Sequence, residues 1–175
     1  MMTTATNTHI PIGEHTITVG LGELKVTKDP AMSLACFGLG SCIDLCAYDP
    51  ISKVAGMVHI VLPESNNHSN QGIAAAKYAD IAVPLLLEEM TRLGALKSRL
   101  VIKLIGGAQM IQAAGFEAIL DMGARNLEMT KKALASEGIR ISGADTGGTQ
   151  GRSVWLSVVS GKVMVRTAGR ELQEL

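Results

Sequence analysis

Short apolar stretches separated by turn-forming residues dominate the hydrophobic pattern of the chain. Runs of this length, bounded by Gly, Pro, Asn or Asp, are typical of β-strands. The first stretch is interrupted by glycines and predicts one or two strands, and each of the others predicts one. The stretches lie at 15–27, 34–39, 42–49, 54–62, 100–105, 139–144, 153–159 and 162–167. The pair Ser160-Gly161 between the last two predicts a hairpin.

Two other segments carry the apolar spacing of a helix. In residues 71–93, apolar side chains recur every three or four positions. Pro84 lies inside this segment, and because proline removes a backbone hydrogen bond and costs a helix about 3 kcal/mol, we expect a kink or a new start there. The second helix is predicted over 124–136 or 126–136. A glycine follows each segment closely and predicts its end.

The order of these elements indicates an α/β (α+β) fold. We expect a single layered domain of mixed β-sheet with helices on one side. The sequence shows no internal repeat and no linker that divides it. We therefore assign 1–12 to a flexible N-terminal tail, 13–168 to one domain and 169–175 to a C-terminal tail.

Composition narrows the classes of function. The 175 residues include 16 basic and 16 acidic side chains, so the formal net charge is zero. A protein that grips nucleic acid needs an excess of Lys and Arg, and an aromatic content of 3% leaves few platforms for stacking bases. No apolar run reaches the roughly 20 residues of a membrane span, and residues 1–15 lack the features of a secretory signal. We expect a cytoplasmic protein with no nucleic-acid partner and no membrane insertion.

The three cysteines are Cys36, Cys42 and Cys46. On one strand, Cys42 and Cys46 share a face but lie about 13 Å apart, whereas a disulfide needs Cα atoms within about 7 Å. That separation is also too long for two thiolates to bind one zinc ion. We expect no disulfide, no metal site and no cofactor, and we interpret Cys46 as a small buried hydrophobic residue.

The segment from Gly38 to Cys42 has the composition of a functional turn. Two glycines at alternate positions precede Ser41 and Cys42, between two predicted strands. Such a turn can aim amide N–H groups at a ligand, and aimed amides lower the pKa of a nearby thiol and stabilise an oxyanion. Cys42 is a candidate nucleophile, with Gly40 and Ser41 as candidate oxyanion or substrate-binding residues. A β-turn that carries a buried cysteine is an equally supported alternative.

His59 is the candidate partner of this thiol. It lies in the apolar strand predicted at 54–62. If the Asp49-Pro50 turn joins two antiparallel strands, His59 and Cys42 come side by side. A cysteine with a histidine in reach is the minimal activated thiol, because the imidazole takes the thiol proton and later gives it to the leaving group. The alternative is that His59 is a buried core residue with no part in catalysis.

Residues 39–42 read Leu-Gly-Ser-Cys, and residues 56–63 read Gly-Met-Val-His-Ile-Val-Leu-Pro. With these blocks the chain resembles the CheD family, the chemoreceptor glutamine deamidases of bacterial and archaeal chemotaxis. The resemblance covers about residues 13–166. Each further block is short, and their order and spacing carry the likeness, at 77–80, 93–95, 103–108, 123–126, 145–148 and 151–152.

The resemblance implies a fold, an activity and partners. CheD proteins have a layered α/β fold shared with a bacterial toxin deamidase, and their mechanism resembles that of papain-like thiol hydrolases. They convert selected Gln side chains on the cytoplasmic helical domain of methyl-accepting chemotaxis receptors to Glu, with release of ammonia. By motif, Cys42 is the nucleophile and His59 the general base and acid. The resemblance also implies receptor methylesterase activity in some members, and the phosphatase CheC as a partner.

One position departs from the family's pattern. Six residues before the nucleophile, where the family usually has a threonine whose hydroxyl orients the histidine, this chain has Cys36. A thiol is a weaker hydrogen-bond partner than a hydroxyl. Two consequences follow. Either Cys36 or another group, such as Ser41 or a backbone carbonyl, orients His59 in a working deamidase, or the chain is a non-catalytic CheD-like adaptor that binds receptors or CheC.

Three other polar motifs allow alternative interpretations. Asp145-Thr-Gly resembles the triplet of aspartic proteases, but that chemistry needs two carboxylates, which only a homodimer could supply. Asp44 shares the face of Cys42 on a regular strand, which places a charge about 7 Å from the thiol. Arg125 and Asn126, near a predicted helix start, are expected to cap that helix rather than line the site.

Overall fold

The computed structural model of the chain describes residues 15–66, 76–110 and 122–175. A short 3-10 helix lies at Lys97–Arg99. The other elements, in chain order, are β1 (His15–Thr18), β2 (Leu24–Thr27), β3 (Met32–Leu39), β4 (Ile43–Asp49), β5 (Val54–Ile60), α1 (Ala79–Arg92), β6 (Val101–Gly106), α2 (Met122–Ser136), β7 (Gly143–Thr146), β8 (Arg152–Ser157), β9 (Val163–Thr167) and β10 (Leu172–Glu174). In this part of the chain, no helix is long and apolar enough to cross a membrane.

The strands form two mixed sheets of five strands each. The central sheet has the order β2-β5-β4-β6-β7, and the outer sheet has the order β1-β3-β8-β9-β10. Each sheet contains one parallel pair, β6 with β7 in the central sheet and β1 with β3 in the outer sheet. Consecutive strands β3 and β4 belong to different sheets, so the segment between them crosses from one layer to the next.

Two hydrophobic cores separate three layers. One face of the central sheet packs against both helices, with Leu45 and Val58 from the sheet and Leu86 from α1 among the buried residues. The opposite face packs against the outer sheet. Every residue of β4 and β5 is buried, as expected for strands covered on both faces. The predicted layered α+β class with helices on one side is confirmed.

The antiparallel hairpin predicted around Asp49-Pro50 is confirmed by the register, in which Asp44 pairs with His59. The carboxylate of Asp49 fixes this hairpin because it accepts hydrogen bonds from the N–H of Ile51 at 2.9 Å and from the Arg99 guanidinium at 2.6 Å. Burial raises the pKa of Asp49, but Arg99 and the backbone N–H groups outweigh burial and hold it well below its usual range.

Two expectations about element boundaries are corrected. Residues 169–175 are not wholly a tail, because β10 pairs with β9 and Leu172 packs on the outer face of the outer sheet. Helix α1 contains Pro84 and does not start anew there, because buried side chains on both sides of the proline keep its apolar face against the central sheet. The predicted N-terminal tail at 1–12 and the first residues of the predicted helix lie outside the described residues. The helix prediction is wrong at 76–78, because Tyr78 forms a β-bridge with Leu62 and α1 begins at Ala79.

Candidate active site

Backbone hydrogen bonds hold the segment between β3 and β4 in place. The N–H of Ala108 donates to the carbonyl of Gly40, and the N–H of Gly107 donates to the carbonyl of Cys42, both at 2.8 Å. In a trans peptide the carbonyl and the following N–H point in opposite directions. Because the Gly40 carbonyl points toward Ala108, the N–H of Ser41 in the same peptide points to the opposite side of the turn.

A third anchor comes from Asn126, which is fully buried in α2. Its Nδ2 donates at 3.0 Å to the carbonyl of Ser41 and at 3.0 Å to the carbonyl of Val61, just after β5. One amide thus ties the turn before Cys42 to the end of the strand that carries His59. The expectation that Arg125 and Asn126 cap this helix is wrong, because both lie inside α2 and the Asn126 side chain donates to these two carbonyls.

Cys36 and His59 meet in the space between the two sheets. The Sγ of Cys36 lies 3.1 Å from Nδ1 of His59, and both side chains are buried. Cys36 belongs to β3 of the outer sheet and His59 to β5 of the central sheet, so this contact joins the two layers. The residue at the family's threonine position is therefore in place to orient the imidazole.

Cys42 approaches the same region from the start of β4. It is half-buried and packs against the core between the sheets. Because Asp44 is the direct cross-strand partner of His59, Cys42 occupies the diagonal position two residues earlier, about 7 Å away and within reach of an imidazole. Cys42 also raises the pKa of Cys36, after the larger effects of burial and of Asp44, which places these groups in one electrostatic neighbourhood.

The two candidate reacting groups are both neutral at rest. Burial raises the pKa of the Cys42 thiol, and only its own backbone N–H opposes this effect. Burial lowers the pKa of His59, and the nearby carbonyl of Val19 opposes it without completing a hydrogen bond to Nε2. A thiol and a neutral imidazole are the starting state of a reaction in which the proton moves as the sulfur attacks.

Asp44 lies in β4 near Cys42 and His59, and the sequence alone indicates no role for it. Its side chain is fully buried, and the Sγ of Cys46 donates to its Oδ2 at 3.2 Å. Burial raises the pKa of Asp44 to about 7, and the hydrogen bond from Cys46 opposes that shift. The expected burial of Cys46 is confirmed, and its thiol serves a carboxylate as well as the core.

Met110 lies at the rim of the turn and was not predicted. A Cβ atom at residue 40 would stand 2.6 Å from the Sδ of Met110, so glycine at this position leaves room for the thioether. The side chain of Met110 is exposed, which adds an apolar contact surface beside Gly40 and Ser41.

Asp145 does not fit the chemistry of an aspartic protease. Its Oδ1 accepts from the guanidinium of Arg152 at 2.9 Å and 3.0 Å, and the side chain of Arg152 is buried. Protease carboxylates share a proton with each other, whereas this one is paired with a cation. The pair instead fixes the connection between β7 and β8, since Arg152 also donates to the carbonyl of Gly147.

The three cysteines are free thiols. Among the residues that the structure describes, no three His, Cys, Asp or Glu side chains converge as metal ligands would.

Comparisons with known proteins place the chain in a family. The family described as CheD chemotactic sensory transduction matches residues 61–167. A probable chemoreceptor glutamine deamidase CheD from Symbiobacterium thermophilum is 45% identical over 157 residues, which cover 90% of this chain and 95% of that relative. The chemoreceptor glutamine deamidase CheD of Thermotoga maritima is 41% identical over 151 residues, 86% of this chain and 91% of that relative.

Solved structures resemble the fold only distantly. The hypothetical protein YfiH of Bacillus licheniformis aligns with a TM-score of 0.45 and 15% identity, over 73% of this chain and 51% of that chain. A likeness of this size says nothing about function. The family match and the two sequence relatives are sufficient by themselves, and the chain belongs to the CheD family.

Proposed function

We propose that this chain is a protein-glutamine deamidase that converts Gln side chains of methyl-accepting chemotaxis receptors to Glu. The observation that carries the proposal is the 3.1 Å contact between Cys36 and His59, on the same side of the central sheet as Cys42. The two relatives described above carry the name of chemoreceptor glutamine deamidase, which supports the substrate class.

The first half of the reaction forms a thioester. The contact with Cys36 holds the His59 ring in place, and the neutral imidazole accepts the Cys42 proton. The Cys42 sulfur attacks the carboxamide carbon, a C–S bond forms, and the carbonyl electrons move to oxygen. The N–H groups of Cys42 and Ser41 stabilise this oxyanion, and the fixed carbonyls of the turn hold them in position.

The second half releases both products. The oxyanion collapses, the C–N bond breaks, and His59 returns its proton to the nitrogen, so that ammonia leaves. Water then attacks the thioester while His59 accepts one of its protons. The C–S bond breaks, the thiol regains its proton, and Glu is released. The balance is one water consumed and one ammonia formed per Gln, and no step uses a cofactor.

The same chemistry extends to related substrates and partners. A methyl ester presents the same carbonyl carbon with methanol as leaving group, so receptor methylesterase activity belongs to the proposal. The substrate surface is the cytoplasmic helical domain of the receptors, which makes the chain a cytoplasmic protein in this proposal. CheC is the proposed protein partner. The family membership supports each of these assignments.

Mass spectrometry of a receptor cytoplasmic fragment tests the proposed function. In water enriched in ¹⁸O, each converted Gln gains about 3 mass units instead of about 1, because the oxygen that releases the thioester comes from water. We expect this gain with the wild-type chain, together with equimolar ammonia. Binding of the fragment without any mass gain would reject the deamidase and favour the non-catalytic adaptor.

Cys36 can be tested with a pair of variants of nearly equal size. Cys36→Ala removes the partner of His59 Nδ1, whereas Cys36→Ser keeps a polar group there. We expect Cys36→Ala to lower kcat roughly tenfold with little change in KM, and Cys36→Ser to stay within about threefold of wild type. Steady-state ammonia release measures both. Full activity of Cys36→Ala would show that another group orients the ring.

A further inference from the structure

Asp44 is a buried carboxyl group inside the proposed site that the mechanism above does not use. It lies directly opposite His59 in the β4–β5 register, and the alternation along β4 points it toward the space between the sheets. Directly paired residues have Cβ atoms about 5 Å apart. Asp44 also acts on the thiol of Cys36, since it is the largest influence after burial that raises the pKa of that thiol.

Each member of this cross-strand pair has a polar atom without a partner. Within the described residues, Oδ1 of Asp44 and Nε2 of His59 are buried and accept or donate no hydrogen bond. Buried polar atoms are almost always paired, so two unpaired ones at facing positions need an explanation. Asp49, at the other end of the same strand, differs from Asp44 because both of its carboxylate oxygens accept hydrogen bonds.

The proposed reaction creates a buried positive charge that needs compensation. When the imidazole of His59 takes the proton of Cys42, a buried imidazolium forms, and an unpaired buried charge is costly. Cys36 offers it a weakly polar sulfur and Val19 a neutral carbonyl, and neither group carries a charge that could balance it. The described chain has two buried acidic side chains, Asp44 and Asp49, and Asp49 is already paired with Arg99.

We propose that Asp44 is a positioning residue whose carboxylate faces the His59 imidazolium and balances its charge while Cys42 is deprotonated. The inference rests on the proposed function and assigns one more residue to the same site. Asp44 touches neither the substrate nor the attacking sulfur in this scheme; it acts through His59 alone.

The surroundings of Asp44 contain few other groups that titrate. From the outer sheet, β3 contributes Cys36, and β8 contributes apolar side chains and the buried Arg152, whose charge is paired with Asp145 of β7. From the central sheet, β4 contributes Cys46 and the preceding Cys42, and β5 contributes His59. On β6, Lys103 faces Cys46 and donates to the carbonyl of Leu175. Among these groups, Asp44 is the one whose pKa is raised to about 7 by burial.

The pH dependence has a definite sign. Burial raises the pKa of Asp44 to about 7, so this carboxyl is mostly protonated near pH 6, and burial lowers the pKa of His59, which favours the neutral imidazole. Above about pH 7, Asp44 is ionised and ready to compensate the imidazolium. Its contribution to the rate therefore grows as the pH rises from about 6 to about 8, and it is largely absent at the acidic end.

The variant Asp44→Asn keeps the shape of the side chain and removes its charge. We expect kcat/KM for receptor deamidation to fall at least about tenfold at pH 8 and less than about threefold at pH 6. A loss caused by misfolding would be the same at both pH values. Asp49→Asn is the matched control, because it removes the other buried carboxylate of β4. The ratio of its kcat/KM to that of the wild type should be the same at both pH values. A pH-independent ratio for Asp44→Asn would overturn the inference.

A second measurement needs no receptor and separates this inference from the proposed function. The ring carbons of His59 can be followed by NMR in the free protein as pH is varied. We expect an inflection near pH 7 in the wild type that is missing in Asp44→Asn, because it reports ionisation of the facing carboxyl. Identical titrations would reject the role of Asp44 even if the wild type deamidates receptors. If the His59 titration differs between the wild type and Asp44→Asn but the wild type releases no ammonia, the effect of Asp44 on His59 stands and the proposed deamidase activity is rejected.

Discussion

Replacement of Cys42 by alanine is expected to lower kcat/KM for receptor deamidation at least about a thousandfold. The sulfur is the atom that bonds to the substrate in the proposed mechanism, so no neighbouring group can replace it. Cys36 and Cys46 are fully buried, and burial raises the pKa of both thiols. A coupled assay for ammonia measures the loss.

Stability and binding provide the controls for this variant. Cys42 is half-buried, and its carbonyl, rather than its side chain, holds the hydrogen bond to Gly107. We expect the free energy of unfolding to change by less than about 1 kcal/mol and the receptor fragment to bind as before. Ammonia release at the wild-type rate from Cys42→Ala would contradict the assignment of the nucleophile.

Gly106→Ala is expected to be the most destabilising single methyl addition near the site. Gly106 ends β6 with φ +113°, and a Cβ there would stand 2.2 Å from the carbonyl oxygen of Cys42. The backbone strain and the collision together should cost about 3 kcal/mol or more. The peptide of Cys42 must move to relieve the contact, so we also expect kcat/KM to fall at temperatures where the variant remains folded.

Gly138→Ala is the matched control for this substitution. Gly138 follows α2 with φ +70°, and a Cβ there meets nothing within 4 Å. Gly138→Ala should therefore lower the free energy of unfolding by about 1 kcal/mol, through the strain of a left-handed backbone alone, with no effect on activity. Urea denaturation of both variants measures the difference. Equal losses of stability would mean that strain, and not the contact with Cys42, makes Gly106 necessary.

The strands that are buried on both faces could be predicted from the sequence, because their apolar runs are continuous. The sequence did not reveal β10, since Leu172–Glu174 has one apolar residue and is held by its pairing with β9. The strand predicted at 139–144 was displaced to Gly143–Thr146, because Ile139 and Ile141 pack on the helical core instead. The division into two sheets depends on pairing between distant strands, which no local pattern records.

The sequence predicts the part of the candidate site that lies on the neighbouring strands β4 and β5. Cys42 and His59 follow from residue type and from a hairpin, and the register of β4 and β5 agrees with that reasoning. The place of Cys36 was expected from family resemblance, because it lies on a strand of the other sheet. Asn126 binds a carbonyl 85 residues away in the sequence, and only the packing of α2 brings them together.

The contact between Cys36 and His59 spans two sheets, and this has a consequence for when the thiol becomes active. The hairpin of β4 and β5 is local and can form early, but β3 joins the outer sheet through pairing with β8, more than a hundred residues later in the chain. Contacts of such long sequence separation form late in folding. A nascent or partly folded chain would therefore carry Cys42 as an ordinary thiol, and deamidation would begin only once both layers have assembled.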